Sequence, residues 1–254
     1  LDFEITRDKI PIYSVDASYM INEETGYIKV SRFAAKTVDE FKDGLDSLQG
    51  KGLENLILDL RGNSGGYLNT AINLADQFLE EDKLVVYTEG RTSPKQQTFS
   101  TKKGDFEKGK LIVLIDEGSA SASEIVSGAI QDWDRGLVIG RRSFGKGLVQ
   151  KPYSLPDGSA VRLTISRYYT PSGRCIQALD YWNRDEEGNA VRTKQENFNE
   201  FKTKDWRTIT KLKIQLLTIN EKEIKQFEFI KFLESGKYQD VSSAFTKFKE
   251  QEVL

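Results

Sequence analysis

Asn55-Leu-Ile-Leu-Asp-Leu-Arg-Gly-Asn-Ser-Gly-Gly66 reads as a buried strand, Asn55 to Leu60, that runs straight into a glycine-rich loop. Downstream, Leu68, Ala71, Ile72, Ala75 and Leu79 fall on one face of a helix, and Leu84-Val-Val-Tyr87 is the next strand. Upstream, Tyr27-Ile-Lys-Val-Ser-Arg-Phe33 is a strand. The spacing then predicts a helix opened by Thr37 as N-cap, with Glu40 completing a capping box. Phe41, Leu45 and Leu48 form its apolar stripe, and Gly50-Lys-Gly52 ends it. The order β-α-β-α-β argues for an α/β fold with a largely parallel sheet covered by helices.

The same alternation resumes further on. Residues 91–110 are polar and rich in lysine and glycine, which suits a hairpin or flap. Residues 111–115 form an apolar strand and 116–121 a loop. A helix follows with Ala122, Ile125, Val126, Ala129, Ile130 and Trp133 on one stripe. Leu137-Val-Ile-Gly140 is a strand, and residues 148–155 and 160–168 make a hairpin around Pro156-Asp-Gly158. Before this core, residues 1–15 alternate loosely through Phe3, Ile5, Ile10 and Ile12, as strands split by a charged turn. After about Gln177 the character changes. Residues 183–204 read as a polar loop or insertion. Ile224, Phe227, Ile230 and Leu233 form a helical stripe ended by Gly236, and Phe245 and Phe248 suggest a further short helix. This end of the chain reads as a helical appendage.

Composition narrows the chemistry. In 254 residues, 37 basic and 39 acidic side chains leave a formal charge of −2, which gives no global pull toward nucleic acid or a membrane surface. No apolar run approaches the roughly 20 residues that span a bilayer. Cys175 is the single cysteine and histidine is absent, so an intramolecular disulfide is excluded and neither a transition-metal site nor a cofactor is expected.

The absence of histidine gives weight to two segments, Gly118-Ser-Ala-Ser-Ala-Ser-Glu124 and Phe144-Gly-Lys-Gly147. A serine hydroxyl is a poor nucleophile until a base takes its proton, and a serine–lysine pair is one way to supply that base. Ser119, Ser121 and Ser123 compete for the role. Ser121 lies at a strand–loop–helix junction, where free N–H groups and the helix dipole favour negative charge. Ser123 falls in the first helical turn beside Glu124 and serves equally well as a cap. Lys146 stands between glycines, with Phe144 and Leu148 nearby, and apolar surroundings favour the neutral amine that a base requires. In an extended chain residues 146, 148 and 150 share a face, so Gln150 is in reach of the Lys146 amine or the serine. The bland alternatives are a structural small-residue loop before a helix and a solvated loop lysine. The histidine-free chain weighs against them. The loop Arg61-Gly-Asn-Ser-Gly-Gly66 follows the C-terminal end of a buried strand, where ligands of parallel sheets usually sit. Its glycines can present N–H groups to an oxyanion or to a phosphate, but the spacing is neither that of a P-loop nor of a dinucleotide fingerprint.

Five segments together resemble the C-terminal processing peptidases, also called tail-specific proteases. These are Leu58-Asp-Leu-Arg-Gly-Asn-Ser-Gly-Gly66, Gly118-Ser-Ala-Ser-Ala-Ser-Glu-Ile125, Gln131-Asp132, Ser143-Phe-Gly-Lys-Gly-Leu-Val-Gln150 and Tyr168-Tyr-Thr-Pro-Ser-Gly-Arg174. They stand in the family's order and cover roughly residues 1–180. The resemblance implies Ser121 as nucleophile, Lys146 as general base and Gln150 as the residue that positions the lysine. It implies an oxyanion hole from the N–H of Ala122 with that of Gly65 or Gly66, and a supporting structural role for Asp132. It also implies a crotonase-like (ClpP/crotonase) β/α core and ATP-independent endoproteolysis through an acyl-enzyme. The partners so implied are proteins or peptides with accessible C-termini, in a bacterial periplasm or cell envelope, by a chain that is not membrane-spanning and is compatible with an oligomer. On that pattern residues 1–15 resemble the strand leaving a PDZ domain, 16–180 the serine–lysine core and 181–254 a polar loop and helical appendage. A Gly-Gly-Ile-x-Pro-Asp segment common in the family has no counterpart near Asp205-Trp-Arg-Thr-Ile209. Two other readings stand beside this one: a non-catalytic peptide-binding scaffold on the same fold, and an acyl-CoA-handling crotonase-like enzyme. The first is opposed by the presence of Ser121, Lys146 and Gln150. The second lacks a basic cluster for an adenine and pyrophosphate site.

Overall fold

The computed structural model describes residues 12–101 and 104–192. The strands expected within residues 1–11 and the helical appendage expected beyond residue 193 lie outside the described residues.

The sheet that carries the fold has the order β1-β2-β3-β6-β7. Its strands are β1 (Val15–Met20), β2 (Thr25–Val30), β3 (Asn55–Asp59), β6 (Lys110–Ile115) and β7 (Leu137–Gly140). β2, β3, β6 and β7 are mutually parallel, and β1 is antiparallel to β2 at one edge. Leu56, Ile57 and Leu58 of β3 are buried, as a central parallel strand requires. Three helices cover the sheet: α1 (Thr37–Gln49), α2 (Leu68–Asp76) and α3 (Ala122–Asp132). Their buried stripes include Phe41, Leu45 and Leu48 of α1, Ala71, Leu74 and Ala75 of α2, and Ile125, Val126, Ala129 and Ile130 of α3. Phe78 joins them, edge-to-face with Phe41 at 5.6 Å between ring centroids.

A second sheet is antiparallel, in the order β5-β4-β9-β8. It consists of β4 (Leu84–Glu89), β5 (Gln96–Phe99), β8 (Leu148–Ser154) and β9 (Ala160–Tyr169). This corrects one expectation. The strand at Leu84-Val-Val-Tyr87 does not extend the parallel sheet; the parallel neighbour of β3 on that side is β6. The polar segment after β4 turns back at once to become β5, which supplies an antiparallel partner before any helix can form. β10 (Leu179–Arg184) and β11 (Ala190–Arg192) make a further hairpin where the sequence suggests only a polar loop. β1 also carries no sequence signal, because most of its residues are half-buried or exposed.

The helix boundaries agree with the capping and glycine signals, but not through the expected contacts. α1 begins at Thr37 without a side-chain cap. Thr37 Oγ1 instead accepts the Ala34 N–H at 2.8 Å, and Glu40 accepts the N–H groups of Ser14 and Val15 at 2.6 and 3.1 Å. The carboxylate that would have closed a capping box thus anchors the start of β1.

Register decides where the site lies. β3 and β6 run in parallel with Asp59 beside Leu114, and the Leu60 N–H continues the ladder to Leu114 O at 2.9 Å. The loop after β3 and the loop after β6 therefore leave the same edge side by side. Asp116 ties them, since its Oδ1 accepts the N–H of Gly62 at 2.8 Å and that of Gly118 at 2.9 Å. β7 delivers the segment bearing Lys146 from this same edge.

Candidate active site

The three serines of the loop before α3 have different surroundings. Ser119 is fully buried; its Oγ donates to Leu60 O at 2.8 Å and accepts the Asp116 N–H at 3.0 Å. Ser123 is equally buried and donates to Asn63 O at 2.8 Å. Both hydroxyls hold loop to loop. Ser121 is partly exposed and has φ 56° and ψ −109°, a conformation outside the regions L-residues ordinarily occupy. Such a residue costs of order 1–3 kcal/mol and persists where its surroundings over-determine it.

Those surroundings begin with Asn63, which is fully buried. Its Nδ2 donates to Val30 O at 2.8 Å, its Oδ1 accepts the Gly65 N–H at 2.9 Å, and its carbonyl accepts the Ala120 N–H at 3.0 Å. The glycine loop is thereby laid against the serine loop. A Cβ on Gly65, where φ is +99°, would stand 2.7 Å from Ala120 O, 2.9 Å from Ser121 Cβ and 3.0 Å from Ala122 N. Only glycine allows that approach. The N–H of Gly65 is taken by Asn63. The N–H groups of Gly66 and of Ala122, the first residue of α3, have no hydrogen-bond partner among the described residues.

Lys146 arrives on a segment stitched at almost every residue. Phe144 N–H donates to Ser119 O at 3.0 Å, Gly147 N–H to Gln177 Oε1 at 2.9 Å, and Ala178 N–H to Gly145 O at 3.0 Å. The buried Glu124 carboxylate accepts the N–H of Lys146 at 2.9 Å and that of Ser121 at 2.7 Å on the same oxygen, Oε2. The two backbone nitrogens therefore lie no further apart than those two bonds laid end to end. A cavity of about 610 Å³ opens beside this segment, lined by Lys146, Leu148, Gln150, Phe144, Gln177 and Tyr181 among others. Lys146, Leu148 and Gln150 all line this cavity. The expectation of a lysine buried among apolar neighbours is not met. The glycines at 145 and 147 are buried, but the Lys146 and Gln150 side chains are exposed and Phe144 is 59% exposed. No hydrogen bond joins the Gln150 side chain to Lys146 or Ser121 among the described residues.

Asp132 stands at the other end of α3. Its carboxylate pairs with Arg174 and accepts the Ser172 N–H at 2.8 Å, and Arg174 also donates to Gln131 Oε1 at 2.9 Å. This fastens α3 to the turn after β9. Asp59, fully buried at the end of β3, accepts the Arg61 guanidinium from Nε and Nη2 and the Tyr27 hydroxyl at 2.6 Å. Burial pushes its carboxyl up, but the Arg61 and Tyr27 hydrogen bonds outweigh that and hold it below the usual carboxylate range. Burial, with the bond to Asp59, pushes the Tyr27 phenol well up. Among the described residues no group of His, Cys, Asp and Glu could hold a metal ion.

Sequence reasoning overlooks Glu124, Asn63, Asp116 and Gln177. One signal was available: Ser121 and Glu124 have the spacing of a capping box, and Glu124 does reach back to the Ser121 N–H. Asn63 and Asp116 also accept an N–H two residues on, but the bonds that bring the loops together join residues far apart in the chain.

Known proteins match this chain in sequence and in structure. The model of peptidase family S41 matches residues 24–181. A carboxy-terminal-processing protease of Bartonella bacilliformis is 42% identical over 184 residues, which are 70% of this chain and 42% of that protein. The carboxy-terminal processing protease CtpB of Bacillus subtilis is 37% identical over 69% of this chain and 37% of its own length. The chain thus spans about two fifths of the length of such relatives. Among solved structures, a photosystem II D1 C-terminal processing protease superposes with a TM-score of 0.61 at 29% identity, over 74% of this chain and 49% of that one.

Proposed function

The chain belongs to peptidase family S41, and on that premise we propose that it hydrolyses peptide bonds with Ser121 as nucleophile and Lys146 as general base. The observation that carries the assignment is the single Glu124 oxygen bonded to the backbone N–H of both residues. The neutral Lys146 amine takes the Ser121 proton as Oγ attacks the scissile carbonyl. The N–H groups of Ala122 and Gly66 receive the oxyanion, with Gly65 held back by Asn63 so that its neighbour is aimed. The resulting ammonium gives its proton to the leaving amine. A water, deprotonated in turn by Lys146, then releases the acyl group. Gln150, which lines the same cavity, orients the amine or the bound peptide. Asp132 supports α3 from its far end.

The core reads as crotonase-like. The substrates are proteins trimmed or degraded from accessible C-termini without ATP, in keeping with the names its relatives carry, and the bacterial cell envelope is the compartment that suits such work. The test is labelling with a fluorophosphonate probe and cleavage of casein by the wild type, Ser121→Ala, Lys146→Ala and Ser119→Ala. Ser121→Ala and Lys146→Ala should each be inert and folded, and Ser119→Ala should retain labelling at position 121. Labelling that survives in Ser121→Ala removes the assignment.

A further inference from the structure

Resting on the Ser121–Lys146 reading, we infer that Glu124 is a positioning residue whose carboxylate sets the separation of nucleophile and base. Glu124 is the third residue of α3 and only 5% exposed. Its Oε2 accepts the N–H of Ser121 at 2.7 Å and of Lys146 at 2.9 Å. Its Oε1 accepts the N–H of Gly145 at 2.6 Å and the Ser143 hydroxyl at 2.8 Å. An ionised carboxylate offers about four lone-pair directions, and these donors take them all. Bonds to a charged acceptor are roughly twice as strong as neutral ones. The carboxylate is thus met by neutral donors: the N–H groups of Gly145 and Lys146, that of Ser121, and the Ser143 hydroxyl.

The arrangement has a direction. Ser121 is held to α3 by its place in the chain, whereas residues 143–146 belong to the connection between two sheets and have no helix or strand of their own. Only long-range contacts fix that connection, and most of the donors on Glu124 come from it. The carboxylate therefore docks the lysine segment onto the serine. Among the described residues it has no hydrogen bond to the Ser121 Oγ or the Lys146 amine, so it acts through backbone placement and takes no part in proton transfer.

Glutamine at this position keeps the shape but turns one acceptor into a donor facing donors. Aspartate keeps the charge but withdraws it by one methylene. Phosphonylation of Ser121 by a fluorophosphonate, followed at several probe concentrations, separates the maximal rate from half-saturation. Glu124→Gln should lower the maximal rate by about 10²-fold, as expected for a displacement on the order of 1 Å between reacting groups. Half-saturation should change little, and the thermal midpoint should stay near that of the wild type. Glu124→Asp should recover part of the rate. A folded Glu124→Gln chain that labels at the wild-type rate overturns the inference, as does a loss confined to half-saturation. Should Glu124→Gln not fold, Glu124→Asp decides: folded and slow supports positioning, whereas folded and fast, or failure of both to fold, overturns it. The parent reading fails separately, through label on a Ser121→Ala chain.

Discussion

Gly65 shows how much of the chemistry depends on one missing side chain. Its Cα sits so close to Ala120, Ser121 and Ala122 that the serine loop can fold over it. Gly65→Ala introduces a methyl group against a backbone oxygen at a left-handed φ, so either the glycine loop or the serine loop must shift. The strain itself is on the order of 1–3 kcal/mol, which a domain of this size can absorb. The site cannot, because a shift of about 1 Å costs roughly 10²-fold in rate. Gly65→Ala should therefore lose about two orders of magnitude in phosphonylation rate while its unfolding midpoint falls only modestly. Equal, small losses in both would show that the two loops are not tightly coupled. The same contact marks the limit of sequence reasoning at this scale. The glycines, Ser121 and Lys146 are legible as types in a pattern. Asn63, Glu124 and Gln177 are not, because each is significant only through a partner tens of residues away or through a backbone group that any residue would offer.

Among the elements, α3 is anchored at both of its ends. Its N-terminus presents Ser121 and Ala122. Its C-terminus is tied to the turn after β9 by Asp132 and Arg174, and to β4 by Trp133 Nε1 donating to Leu84 O at 2.7 Å. The Asp132 side chain is 1% exposed, so removing it takes the carboxylate from a partly buried guanidinium that keeps its bond to Gln131. Asp132→Ala should cost about 3–5 kcal/mol, read from the urea midpoint at neutral pH. A change below about 1 kcal/mol would mean that the pair behaves as an exposed one. Apolar periodicity made the helices and the strands of the parallel core legible, since each has a face or a run that must be covered. It did not reveal that β4 belongs to a different sheet, because a short apolar strand pairs equally well in either direction and only β5 and β9 decide. β1, β10 and β11 escaped for the opposite reason: none of their described residues is fully buried, so no apolar run or stripe marks them.

For the molecule as a whole, acid sensitivity should centre on Asp59. Its folded value lies below the unfolded one, so the stabilisation is present above an ordinary carboxylate value of about 3.9 and is lost as pH falls through the folded value. Tyr27 acts on the alkaline side. Its folded value is raised, so its contribution is complete below about 10 and disappears as pH rises through the folded value. Unfolding free energies of the wild type and Asp59→Asn should differ by a constant amount near neutrality and converge below about pH 4. A gap that stays constant to about pH 3 would assign the acid transition to other carboxylates.

The proposed nucleophile is delivered by the parallel sheet, and the proposed base by the chain that leaves this sheet for the antiparallel one. Neither layer holds a reactive centre by itself. On the proposed assignment, activity then depends on how the two layers are docked.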